Sequence, residues 1–198
     1  MFFGIFLLIS LSSCDKLKSI STNKTLDDKS SVNSERLSVD LSNPEVTKAS
    51  LDNLVKKSNY VEDIYIDKNS PKFSTKDCFY PYIRVKGDDV SLYLKVQHVS
   101  VELLNINTYV VTVDKVDYTI KGEVSKKKLN GKKKSFMETL DKLITSDEDM
   151  QTLKAIAEGE YVKTLLVGEN KFIKSNMSEK NRKAFYNVLV AYLYLKNK

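Results

Sequence analysis

Residues 79–98 read FYPYIRVKGDDVSLYLKVQH. Two runs of alternating polarity flank the turn residues Gly87-Asp88-Asp89. Phe79, Ile83 and Val85 share one face of the first run, and Leu92, Leu94, Val96 and His98 share one face of the second. Period-two alternation around a Gly-Asp turn predicts an antiparallel hairpin with one buried face. Tyr80, Tyr82 and Tyr93 fall on the other face, where tyrosines can contact a ligand or partner. Pro81 has no N–H to give to a ladder, which predicts an edge or bulged strand.

Outward from this hairpin, residues 103–113 are rich in Val, Ile and Tyr109, and Asp114-Lys115 turns the chain into 116–122. Four consecutive strands therefore predict an antiparallel meander. On the N-terminal side, Asn43-Pro44-Glu45 has the form of a helix start, and Val46, Leu51, Leu54 and Val55 predict a helix over 44–57. On the C-terminal side, Ser146-Asp147-Glu148-Asp149 opens a helix that Gly159 ends. A hairpin over 161–167 and 171–175 follows. Ser178 then caps a last helix, 178–195, with an apolar stripe of Ala184, Phe185, Val188, Leu189, Tyr192 and Leu195. The expected fold is α+β: a meander of about four strands with a C-terminal helix-hairpin-helix unit packed on it, in a single domain over 44–198.

The 198 residues carry two cysteines and one histidine. That excludes disulfide frameworks, Cys-rich zinc modules and multi-His metal sites. No GxGxxG, GxxxxGK[ST] or GxSxG motif occurs, so the common nucleotide loops and the serine nucleophile elbow are absent. Residues 67–78 begin like a calcium loop, but Lys72 stands at the glycine position and Cys78 at the final glutamate position. No catalytic residue, metal or cofactor is predicted. His98 reads as a packed or strand-end residue, and Cys78 as a small buried hydrophobe.

The formal charge is +6, yet only three of the 32 basic residues are arginine: Arg36, Arg84 and Arg182. Sequence-specific DNA readers rely on Arg for bidentate contacts to guanine, so a nucleic-acid partner is not expected. The densest basic run contains Lys126, Lys127, Lys128, Lys132, Lys133 and Lys134. It reads as a solvated hairpin or as a contact for an anionic headgroup or wall polymer.

Met1–Leu11 is apolar and uncharged, and shorter than the roughly 20 residues that span a bilayer. It fits the apolar region of a secretory signal peptide. Leu11-Ser12-Ser13-Cys14 follows. This stretch resembles the bacterial lipobox, which implies a signal peptide over 1–13, diacylglycerol attachment at Cys14 and cleavage before it. Residues 15–43 hold seven serines and no aromatic residue. Such a segment buries too little apolar surface to order itself, so 14–43 reads as a lipidated cysteine with a disordered tether reaching about 30 Å.

Further matches lie in Asn69–Phe73, Phe79–Ile83, Ser91–His98, Asp117–Ile120, Leu153–Ala157 and Lys183–Leu189. Through these stretches the chain resembles a loosely defined group of secreted and lipid-anchored bacterial α+β proteins. The resemblance implies an envelope location and no known activity. The group's acidic pair and Trp after the second strand are replaced here by Ser100-Val101-Glu102-Leu103-Leu104. The expected protein is a monomeric, lipid-anchored, non-catalytic binding module on a bacterial membrane, facing the periplasm or exterior, with an envelope protein or polymer as partner. An enzyme or inhibitor acting on envelope polymers, or a structural accessory subunit, are the alternatives.

Overall fold

The computed structural model describes residues 43–70, 75–130 and 134–198. The expected signal peptide, Cys14 and the tether up to residue 42 lie outside the described residues, as do Lys132 and Lys133.

The chain is α+β, with two antiparallel sheets and three helices among the described residues. Helix α1 spans Pro44–Asp52, with the Asn43 side chain accepting from Glu45 N at 3.0 Å. It is shorter than the predicted 44–57. The Asn53 backbone N–H turns back to the Ser50 and Leu51 carbonyls, and its side-chain amide donates to Ala49 O at 2.7 Å. Leu54 and Val55, which continue the helical spacing, instead open strand β1, Leu54–Ser58. There follow β2 (Asp63–Asp67), β3 (Cys78–Lys86), β4 (Asp89–Ser100), β5 (Thr108–Val113), β6 (Val116–Ile120), β7 (Val124–Leu129) and β8 (Ser135–Leu143). Helix α2 (Asp147–Glu158), strands β9 (Val162–Val167) and β10 (Phe172–Asn176), and helix α3 (Glu179–Lys196) complete the order.

The predicted hairpin is the centre of the larger sheet, ordered β1-β2-β3-β4-β8-β7. Its register runs from Cys78↔Gln97 to Lys86↔Asp89 around Gly87, whose φ of 59° opens a two-residue turn. Pro81 lies in an interior strand, contrary to the edge expectation. The β2 ladder on β3 covers only Ile83 to Val85, so beside Pro81 the only ladder partner is β4. The missing N–H is thus tolerated inside the sheet.

The four-strand meander is not what forms. After β4 the chain leaves the sheet, and β8 takes the place beside β4, from Tyr93↔Leu143 to Ser100↔Phe136. The departing segment is held by the buried Glu138, whose carboxylate accepts from Leu104 N at 2.6 Å and Ile106 N at 2.9 Å. Strand β5 therefore begins at Thr108 rather than 103. It belongs to a second sheet ordered β10-β9-β5-β6. Its turn to β6 uses Asp114 and Lys115 at φ 47° and 76°, and the Asp114 carboxylate also accepts from Tyr161 N at 2.8 Å. Near the crossover Gly168 is required: a Cβ there would lie 1.9 Å from the Leu104 carbonyl oxygen.

Both sheets and the helices contribute to one apolar core. Phe79 of β3 meets Tyr109 of β5 and Phe185 of α3, each with ring centroids 5.0 Å apart. Ser178 caps α3, which packs on β3, β4, α1 and α2. Its burial exceeds the predicted stripe: Asn187, Val190 and Ala191 are buried too. Asn187 is accommodated by donating to the equally buried Asp67 at 2.8 Å.

Candidate functional site

The outer face of the larger sheet carries the tyrosines. Register places Tyr82 directly beside Tyr93, and their rings stack at 5.2 Å with 18° between planes. The Arg84 guanidinium lies over both rings, 4.4 Å from the Tyr93 centroid and 5.4 Å from that of Tyr82. The Tyr82 hydroxyl donates to Asp141 Oδ1 at 2.6 Å and accepts from Arg84 Nη2 at 3.0 Å. Glu62 and Asp141 flank the guanidinium at 4.0 and 3.9 Å.

The three predicted tyrosines are therefore brought together, but they are not equivalent. Tyr82 is buried beneath its neighbours and is not an exposed contact residue. Burial first, then the hydrogen bond to Asp141, raises its phenol pKa. Burial also pushes Tyr80 up to about 12. Both phenols stay neutral, so this face offers stacked rings and hydrogen-bonding hydroxyls beside the Arg84 guanidinium. Arg84 and Asp141 were not singled out in the sequence. Arg84 was findable, because it stands two residues after Tyr82 on the same strand face. Asp141 was not, because β8 was unrecognised.

The basic run is divided by the strand geometry. Lys126, Lys127 and Lys128 lie in β7, an edge strand, where alternate side chains point to opposite faces. Lys126 donates to Asn105 Oδ1 at 2.8 Å. Lys134 precedes β8 and is exposed. Lysines on an edge strand discourage pairing with another chain, which accounts for them without an anionic ligand.

His98 is buried, with Nδ1 3.1 Å from Asp77 Oδ2, while Asp77 Oδ1 accepts from Val99 N at 2.7 Å. This pair clamps the start of β3 to the end of β4. Beside it, a cleft of about 180 Å³ opens between the sheets and the start of α3. Cys78 lines it, and burial pushes that thiol up to about 11. A thiol held neutral is a poor nucleophile. Among the described residues no group of three or more His, Cys, Asp or Glu side chains is placed to hold a metal ion. No described helix is long and apolar enough to cross a membrane.

Comparison with protein-family models, curated proteins and solved structures finds no match to the chain.

Proposed function

We propose that this chain is a lipid-anchored protein of the bacterial cell envelope, with the domain over 44–198 serving as a non-catalytic binding module. The observation that carries the anchor is Leu11-Ser12-Ser13-Cys14 directly after the apolar run Met1–Leu11. Cys14 accepts the diacylglycerol, and two or more acyl chains give the stable attachment that a single chain does not. The binding surface in this reading is the outer face of the larger sheet, where Tyr80, Tyr93 and Arg84 border the buried Tyr82. An envelope protein or polymer is the partner.

The anchor is tested by Cys14→Ser in a bacterial host fed a fatty-acid analogue. The unsubstituted chain should take up label and partition into the detergent phase, and the variant should do neither. Label retained in the variant overturns the anchor. The surface is tested separately, by crosslinking from Tyr93 in native membranes. Loss of a discrete crosslinked species in Arg84→Ala supports it, and an unchanged pattern removes it.

A further inference from the structure

The cleft between the two sheets is distinct from the tyrosine face. Its floor and walls combine two kinds of surface. Phe79, Val96, Leu166 and Met177 supply apolar contact, while Gln97, Thr164, Asn176 and Asn181 supply amides and a hydroxyl. Gln97 is buried and already donates to Lys76 O at 2.7 Å, and the Thr164 hydroxyl donates to Ser175 O at 3.4 Å. The side-chain amides of Asn176 and Asn181 make no hydrogen bond to another described residue. Two amides at the wall of a concave site, each with a free donor and acceptor, favour an occupant that can both give and receive hydrogen bonds.

Charge narrows the choice. Asp77 is the one acidic side chain among the described lining residues, and its carboxyl oxygens lie on Val99 N and His98 Nδ1. Among the described residues no lysine, arginine or histidine lines the cleft. An anion would meet a carboxylate and no counter-charge from the described residues. A purely apolar occupant would strip water from Asn176, Asn181 and Thr164 without replacing its hydrogen bonds, which costs affinity. Size narrows it further. A cavity of about 150 Å³ holds a benzene ring, so about 180 Å³ seats one ring, and any further ring would lie outside the cleft.

We propose that this cleft binds a single uncharged, hydroxyl-bearing ring of hexose size. The C–H face of the ring lies on the Phe79 and Leu166 wall, and its hydroxyls face Asn176, Asn181 and Thr164. The site does not depend on the anchor or on the tyrosine face.

Cys78 supplies a local readout, because Cys14→Ser leaves it the sole thiol of the full chain. The rate of Cys78 modification by a small methanethiosulfonate is followed at about pH 9, where the small thiolate fraction of this raised thiol reacts measurably, while glucose, galactose, mannose or N-acetylglucosamine is added. At least one of these should slow the reaction saturably at millimolar concentration. Cyclohexanol, of the same ring size with one hydroxyl, should protect at least tenfold less well. Asn181→Leu should weaken protection by the sugar at least tenfold while leaving the thermal midpoint unchanged, since that side chain holds no other part of the fold. Absence of protection by all four sugars overturns the proposal. So does equal protection by cyclohexanol, which would mark an apolar pocket, or an undiminished effect in Asn181→Leu.

Discussion

The two faces of the six-stranded sheet are built from the same strands but held by different physics. On the inner face Ile83, Leu92, Leu94, Val96 and Leu140 are buried against the rest of the core, and Phe185 reaches Phe79 from α3. That face is stabilised by volume and by area removed from water. On the outer face Tyr82 is also buried, yet it is fixed by a stacked ring, a guanidinium and a carboxylate. The contacts there are directional and lie next to water. The inner face should therefore fail as a whole when its cover is removed. The outer face should lose one interaction at a time and keep the fold.

The largest effect tests the inner face directly. A chain ending at Asn176 loses α3 and with it Phe185, Val188, Leu189 and Tyr192, all buried. Domains of this size have only about 5–15 kcal/mol of net stability. The truncated chain should be insoluble or molten, with near-UV dichroism lost. A soluble, cooperatively unfolding product would show that the inner face does not need its helix. Within the intact chain, Phe185→Ala should cost about 3–5 kcal/mol in denaturant unfolding, because it leaves a cavity between Phe79 and the helix. A cost under about 1 kcal/mol would mean that the site collapses to fill the space.

What could be read from the residues divides along the same line. The β3–β4 hairpin was legible because alternation and Gly87 are local, and the outer placement of Tyr80, Tyr82 and Tyr93 followed from the same period. The caps at Asn43, Ser146 and Ser178 were legible too, since each is decided within four residues. Strand β8 was not, because Glu138 and Asp141 break the apolar pattern of SFMETLDKL. Glu138 is tolerated in the interior only by two backbone donors more than thirty residues away in the chain. The same distant contacts pull 101–107 out of the sheet and turn the expected meander into two sheets. Likewise the near-helical spacing of Leu54 and Val55 concealed the stop at Asn53.

A smaller effect separates the faces by pH. Tyr82→Phe removes a donor from Asp141 and an acceptor from Arg84, both reachable by water, so the cost at neutral pH should be about 0.5–1.5 kcal/mol. Tyr80, Tyr82 and Tyr109 all have phenols raised by burial, and the Cys78 thiol is raised as well. The folded chain keeps these protons after the unfolded chain has released them. Above about pH 9 to 10 the unfolded state binds fewer protons, and stability falls as pH rises. This loss should be absent below about pH 8. Tyr82→Phe should flatten the alkaline decline by its own share while leaving the contributions of Tyr109 and Cys78 in place. Denaturant midpoints at neutral pH and at about pH 10.5 measure both terms. An alkaline slope unchanged by the substitution would show that the Tyr82 phenol is not raised in the folded chain.

The smallest thermodynamic effect is expected where both faces end, at the edge strand β7. Lys126, Lys127 and Lys128 are exposed, and their alternation assigns neighbouring lysines to opposite faces. Threonine has a higher strand propensity than lysine, and exposed substitutions of this kind usually lie within about 0.5 kcal/mol of zero. Replacing all three by threonine should therefore leave the denaturant midpoint nearly unchanged. The Lys126 Nζ contact to Asn105 Oδ1 is exposed, and its loss costs little. Solubility should change instead. An edge strand without charge presents unpaired backbone N–H and C=O groups to another copy of itself. Light scattering of the triple variant should rise with protein concentration, and restoring Lys127 alone should reduce it. If scattering stays low while the variant loses a measurable affinity for anionic vesicles, the lysines serve an anionic surface, and their place on the edge is incidental to pairing.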